Sequence, residues 1–181
     1  MSRYVALVRG INVGGRNSVP MPALRAMFES LGHERVTTYI QSGNVCFTTA
    51  MELPAPVELA TEIECGILAT FGLDVRVTLR ARADLVRLAG VNPFLDIEAD
   101  HAKLHVVFLA ATPTSEAIGL LDPSRFAPDV FAVVGREMFI RYPNGAGQSR
   151  LTLDYIERRL GTHGTARNWN TVNHLLARLD G

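Results

Sequence analysis

Lysine is nearly absent from this chain: of its 18 basic residues only Lys103 is one. Arginine is the better bidentate ligand for anions, but a coding bias is the simpler account of the skew. Net charge is absent as well, because 18 acidic residues balance the basic ones. Affinity for nucleic acid comes largely from neutralised phosphates. The balance therefore argues against a general polyanion binder and leaves open only a local basic patch. Cysteine is scarce. Cys46 and Cys65 are the only two, and their spacing suits neither a disulfide framework nor a zinc site. One falls in a strand-like run and the other in a helix-like run, so both are expected as buried core thiols. No apolar stretch reaches the roughly 20 residues needed to span a bilayer. No apolar leader with a small-residue cleavage site follows Met1-Ser2-Arg3, so a cytoplasmic protein is expected, with no membrane partner. What the chain does have is 181 residues, 48% of them hydrophobic. That is enough to bury roughly 70% of the unfolded surface in one large domain or two small ones.

The apolar run at residues 4–8 predicts a first strand. A loop rich in glycine and asparagine follows, up to Pro20. Pro22 suits the first turn of a helix, and Leu24, Met27, Phe28 and Leu31 make an i, i+3, i+4, i+7 stripe that Gly32 stops. Residues 36–41 and 45–49 are β-rich runs around Ser42-Gly43-Asn44, a hairpin signal. Pro54 and Pro56 start a second helix, with Leu59, Ile63, Ile67, Leu68 and Phe71 on one face and Gly72 at its end. Residues 75–79 alternate as a half-buried strand does. The order is β-α-β-β-α-β, the ferredoxin-like pattern. Its usual geometry brings the loop after the first strand, the Ser42-Gly43-Asn44 turn and the start of the first helix to one end of the sheet.

The second half echoes the first. A short helix at 83–89 leads away, a strand is expected at 104–110, and a short helix at 114–121. Strands at 130–134 and 138–142 flank the hairpin signal Gly135-Arg136-Glu137. Ser149 can cap a helix over 150–160 that Gly161 closes. A final helix carries Trp169, Val172, Leu175, Leu176 and Leu179 on one face. The expected fold class is α+β with two similar subdomains. Residues 1–81 form a ferredoxin-like βαββαβ unit, and residues 82–181 a related βαββα unit plus a C-terminal helix.

Three stretches together resemble a known family: Arg9-Gly10-Ile11-Asn12-Val13-Gly14-Gly15, Tyr39-Ile40-Gln41-Ser42-Gly43-Asn44-Val45 and Arg167-Asn168-Trp169-Asn170-Thr171-Val172. Their spacing, the Asn92-Pro93-Phe94 element and the strand from Leu104 also fit. Over nearly its whole length the chain is similar to the domain-of-unknown-function family 1697. The resemblance implies a bacterial-type cytosolic protein of two α+β subdomains, and it implies no activity. Two departures stand out. The family's usual Gly-x-Gly-Arg-Ser-Lys-Leu is here Gly145-Ala146-Gly147-Gln148-Ser149-Arg150-Leu151, one charge poorer. His174 stands where the final helix of the family often carries lysine.

The Arg9 loop has the chemistry of an anion site. Gly10, Gly14 and Gly15 let backbone N–H groups converge, a helix start adds partial positive charge, and Arg9 and Arg16 offer bidentate hydrogen bonds. It is neither a P-loop nor a dinucleotide fingerprint, because the required spacings are missing. The competing reading is a tight loop whose glycines need positive φ and whose Asn12 bonds backbone. Gln41, Ser42, Gly43 and Asn44 read either as part of such a site or simply as a hairpin. A serine nucleophile needs a base, and His33, His101, His105, His163 and His174 are scattered. His105, inside a strand, reads as a satisfied structural side chain. Arg167-Asn168-Trp169-Asn170-Thr171 is expected to open the last helix, with an asparagine cap and Trp169 in the seam between subdomains. That account leaves Arg167 over, and a buried arginine needs a partner. The loop from Gly145 to Arg150 is either an anion loop or a plain loop with an N-cap. Asp154 and Glu157 read as ordinary helix ion pairs beside Arg150, Arg158 and Arg159. No spacing suits a metal, no cofactor is implied, and no catalytic residue stands out.

The leading expectation is a protein that binds a small anionic or phosphate-bearing ligand. Arg9 would hold the charge, Asn12 and Asn44 would orient, and Gly10, Gly14, Gly15 and Gly43 would admit backbone contact, with Ser42 and Arg167 as further candidates. The alternatives are single-stranded nucleic-acid binding, with Tyr4 and Phe47 as stacking platforms, and a ligand-free interaction or scaffold module.

Overall fold

The computed structural model describes residues 2–49 and 56–180; Pro54, one of the two prolines expected to open the second helix, lies outside them. Contacts gather the chain into two compact units. One holds the chain up to Val86 together with the chain from Leu175, and the other runs from Arg87 to His174. Where the sequence suggests a division at residue 81, the contacts divide at 86 and return the last turns of the C-terminal helix to the first unit.

The first unit contains β1 (Ser2–Val8), α1 (Met21–Ser30), β2 (Glu34–Tyr39), β3 (Asn44–Thr49), α2 (Pro56–Phe71) and β4 (Val77–Ala81). Its sheet is antiparallel throughout, in the order β2-β3-β1-β4. This is the ferredoxin-like arrangement expected. Alternate residues of β1, Tyr4, Ala6 and Val8, join Val45, Phe47, Val77 and Leu79 in a core with Leu24 and Phe28 of α1 and Leu59, Ile63 and Ile67 of α2. Phe28 meets Phe47 edge-on with ring centroids 5.3 Å apart, a geometry worth about 1 kcal/mol beyond burial. Gly66 lets α1 approach α2, since a Cβ there would lie 2.8 Å from Met27 Sδ. The fourth strand begins two residues later than the alternation suggests, at Val77. Cys46 is buried as expected, but Cys65 is exposed on α2. The apolar stripe of that helix runs through Leu59, Ile63 and Ile67, and position 65 falls off it.

The helix α3 (Arg82–Val91) follows, longer at both ends than the predicted 83–89. At Asn92-Pro93-Phe94 the chain turns, with the Phe94 N–H donating to Asn92 Oδ1 at 3.0 Å. The second unit then builds β5 (Leu104–Leu109), α4 (Ser115–Gly119), β6 (Val130–Val134), β7 (Glu137–Arg141), α5 (Leu153–Leu160) and β8 (Gly164–Asn168), and α6 (Trp169–Asp180) begins within it. The sheet order is β6-β7-β5-β8, so this unit is a complete βαββαβ repeat of the first. The strand β8 is absent from the sequence reading, which assigned Arg167 and Asn168 to the last helix. Gly-Thr-Ala-Arg-Asn has no apolar run to signal a strand. It forms because β5 has a second edge to satisfy, pairing Leu109 with Gly164 through His105 with Asn168. Asn168 does cap α6 with its side chain, accepting from the Thr171 N–H at 2.9 Å.

The helix α5 also differs from expectation. It begins at Leu153, and Thr152 rather than Ser149 caps it, accepting from the Tyr155 N–H. Ser149 is engaged elsewhere, donating to Asp129 Oδ2 at 2.6 Å and accepting from the Leu151 N–H at 2.9 Å. His105 is not fully satisfied. Its ring packs edge-on against Tyr142 at 5.1 Å, and its buried Nδ1 has no hydrogen-bond partner among the described residues.

Candidate functional site

The end of the first sheet is built from backbone hydrogen bonds. The Val8 N–H donates to the Gly43 carbonyl at 2.8 Å, and the Arg9 N–H to the Arg76 carbonyl at 2.9 Å. Asn12 ties three segments together. Its side-chain amide donates to the carbonyls of Val19 and Gln41, both at 2.9 Å, and its oxygen accepts from the Val19 N–H at 2.8 Å. The Arg9 loop, the turn after β2 and the start of α1 are therefore joined through one asparagine.

Beyond Asn12 the loop folds into a miniature hairpin. The Asn12 N–H donates to the Asn17 carbonyl at 3.0 Å, and the Arg16 N–H to the Val13 carbonyl at 3.1 Å. Gly14 and Gly15, at φ 59° and 74°, form its two-residue tip, as the mirror-image hairpin turn requires. Asn17 was not singled out in the sequence. It stands at φ 50° and donates to the Gly10 carbonyl at 3.0 Å. Asparagine tolerates that left-handed backbone better than most residues, which is the signal that marks it.

Gly43 is required by its surroundings. It has φ 73°, and a Cβ would lie 2.9 Å from both Val8 and the buried Ile11. Asn44 is fully buried and donates to the Tyr39 carbonyl at 3.1 Å and to Ser42 Oγ at 2.8 Å. Ile11, Asn12, Gly43 and Asn44 thus make the frame. Gly10, Gly14, Gly15 and Arg16 are exposed, and Arg9 and Ser42 are half-buried. Apart from the adjoining residues, no atom stands within 4 Å of where a side chain would begin at Gly10, Gly14 or Gly15. The helix α1 has no side-chain cap and carries proline in its first turn, which removes one of the N–H groups an anion would use.

Arg167 lies on β8 in the second unit. It donates to Thr165 Oγ1 and to the Ala166 carbonyl, both at 2.8 Å, and desolvation pulls its guanidinium down to about 10. The Gly145 loop is braced by the Ser149–Asp129 bond and by Arg150, which donates to the Arg125 carbonyl at 2.9 Å. Among the described residues no group of three histidine, cysteine, aspartate or glutamate side chains is placed to hold a metal ion. No helix among the described residues is long and apolar enough to cross a membrane.

A family model described as "Protein of unknown function (DUF1697)" matches residues 1–139. Among solved structures, a conserved bacterial protein from Streptococcus pneumoniae is similar, with a TM-score of 0.72, 24% identity and 98% of each chain covered. That likeness carries the fold of two four-stranded sheets with their helices. No curated protein matches the chain.

Proposed function

The chain belongs to the DUF1697 family, and from that premise we propose that it binds a small anionic or phosphate-bearing ligand where the Arg9 loop meets the Ser42-Gly43-Asn44 turn. The observation that carries this reading is the convergence of loop, turn and helix start on Asn12. Gly14 and Gly15 stand open, with the exposed Arg16 next in the chain. Arg9 and Arg16 supply charge and forked donors. Gly10, Gly14 and Gly15 admit a ligand close to the backbone. Asn12 and Asn44 act by orienting the frame, through bonds to backbone, and Ser42 offers a hydroxyl at the rim.

The two stacking platforms expected for the nucleic-acid alternative are not at the surface. Tyr4 and Phe47 are both buried in the first core, their rings stacked on each other at 6.0 Å, so neither offers a face to a base.

A thermal-shift screen of nucleotides and phosphorylated metabolites tests the proposal. A ligand held at 100 times its dissociation constant stabilises by about 2.7 kcal/mol, and Arg9→Ala is expected to abolish that shift. The reading fails if no anion raises the melting temperature, or if Arg9→Ala leaves the shift intact.

A further inference from the structure

The opposite end of β1 carries a different constellation. Arg3 precedes Arg9 by six strand positions, roughly 20 Å at about 3.3 Å per residue. There the edge strand β2 is irregular. Glu34 pairs with Thr48 and Thr37 with Cys46, so two residues, Arg35 and Val36, stand opposite the single Phe47. This is a β-bulge, a device that bends an edge strand and re-aims a side chain. Arg35 sits in it at φ 50°, a backbone region that costs a non-glycine residue about 1 kcal/mol or more. Such strain persists only where the surrounding structure imposes it, and it gathers at functional sites.

The bulge opens onto a cavity of ≈ 290 Å³ whose wall carries four arginines, Arg3, Arg25, Arg35 and Arg178. They come from β1, α1, the bulge and the last turn of α6, all within the first unit. Thr37 and Thr48 add hydroxyls, and Val36 and Leu179 add apolar surface. Three of the four have no carboxylate partner among the described residues. Arg3 donates to the Leu179 carbonyl at 2.6 Å. Arg178 lies 5.3 Å above the Tyr39 ring. Only Arg25 has a carboxylate, Glu29, at 2.8 Å; among the described residues none lies within ion-pair distance of Arg3, Arg35 or Arg178. In a chain of zero net charge, this is a local concentration of cations around a concave surface, which raises the local concentration of anions.

From this geometry we propose that the bulge cavity is a second anion-binding site, independent of the Arg9 loop, for a compact phosphate-bearing metabolite with more than one negative charge. Guanidinium forks pair bidentately with phosphate oxygens, and their arrival from four elements suits a multiply charged group better than a single carboxylate. The volume lies at the small end of ligand sites, which fits a small organic phosphate and leaves no room for a dinucleotide.

Titration calorimetry of the full chain with inorganic pyrophosphate at low ionic strength tests this. Pyrophosphate is expected to bind, and Arg35→Gln and Arg178→Gln are each expected to weaken that binding about tenfold or more, as loss of a charge-assisted hydrogen bond does. Arg9→Ala is expected to remove only the event that belongs to the Arg9 loop, and the event that Arg35→Gln and Arg178→Gln weaken is expected to persist in it. Arg178 is exposed on the last turn of α6, so its variant reports even if the bulge tolerates no change at Arg35. Absence of pyrophosphate binding overturns the proposal, as does binding indifferent to Arg35→Gln and Arg178→Gln. Loss confined to Arg9→Ala overturns it as well, while leaving the Arg9 reading standing.

Discussion

His33 shows how much a single side chain can set. It is buried after Gly32, its ring centroid 4.6 Å from Phe47 and 5.9 Å from Phe28, and its buried Nε2 has no partner among the described residues. Burial lowers its pKa below the ordinary 6.5, with Glu62 drawing it partly back. The folded state therefore favours the neutral ring. As pH falls through 6.5 the unfolded chain takes up the proton first, and stability is lost toward acid. His33→Leu removes this contribution. Between about pH 7 and pH 5 the melting temperature of the natural chain is expected to drop further than that of the variant, by circular dichroism. Parallel curves would show that His33 is not the titrating group. The residue scale also shows where side-chain type alone misleads. Asn12 and Asn44 carry the donors and acceptors of a ligand site, and in the structure they spend them on backbone carbonyls and a neighbouring serine. Nothing in an asparagine's identity separates those uses, because both draw on the same amide.

At the scale of elements, the helices and strands with a strong apolar period were legible. The stripes of α1 and α2 and the glycine stops at Gly32, Gly72 and Gly161, all at positive φ, follow from local physics. Elements that depend on a distant partner were not. The strand β8 exists because β5 offers it a ladder, and the start of α5 shifts because Asp129, twenty residues earlier, takes the Ser149 hydroxyl. Thr152 then caps the helix. Thr152→Ala is expected to cost about 1 kcal/mol, read as a lower urea midpoint at unchanged slope. A loss of only a few tenths would mean that the cap has little weight in α5.

At the scale of the whole molecule, charge is balanced overall and unevenly placed. A chain with zero net charge near neutrality lacks the self-repulsion that keeps proteins apart in solution. Solubility is expected to be lowest near pH 7 and to rise on either side, as measured by turbidity or light scattering across pH. A flat profile would mean that patch structure outweighs net charge. Within that neutral total, Arg3, Arg25, Arg35 and Arg178 meet around one cavity.

The sequence by itself determined the class of fold, the repeated strand-helix-hairpin order and the meeting of the Arg9 loop with the Ser42-Gly43-Asn44 turn. Hydrophobic period, turn chemistry and chain direction are local properties that add up to a topology. Only the tertiary structure decided that Cys65 faces outward, that Arg167 belongs to a strand, that the frame asparagines are occupied and that four arginines share one pocket. Those outcomes depend on which residues lie across a sheet or against a helix end. Residues 3, 25, 35 and 178 carry no mutual signal in one dimension, because the distance that matters to a charge is the one through space.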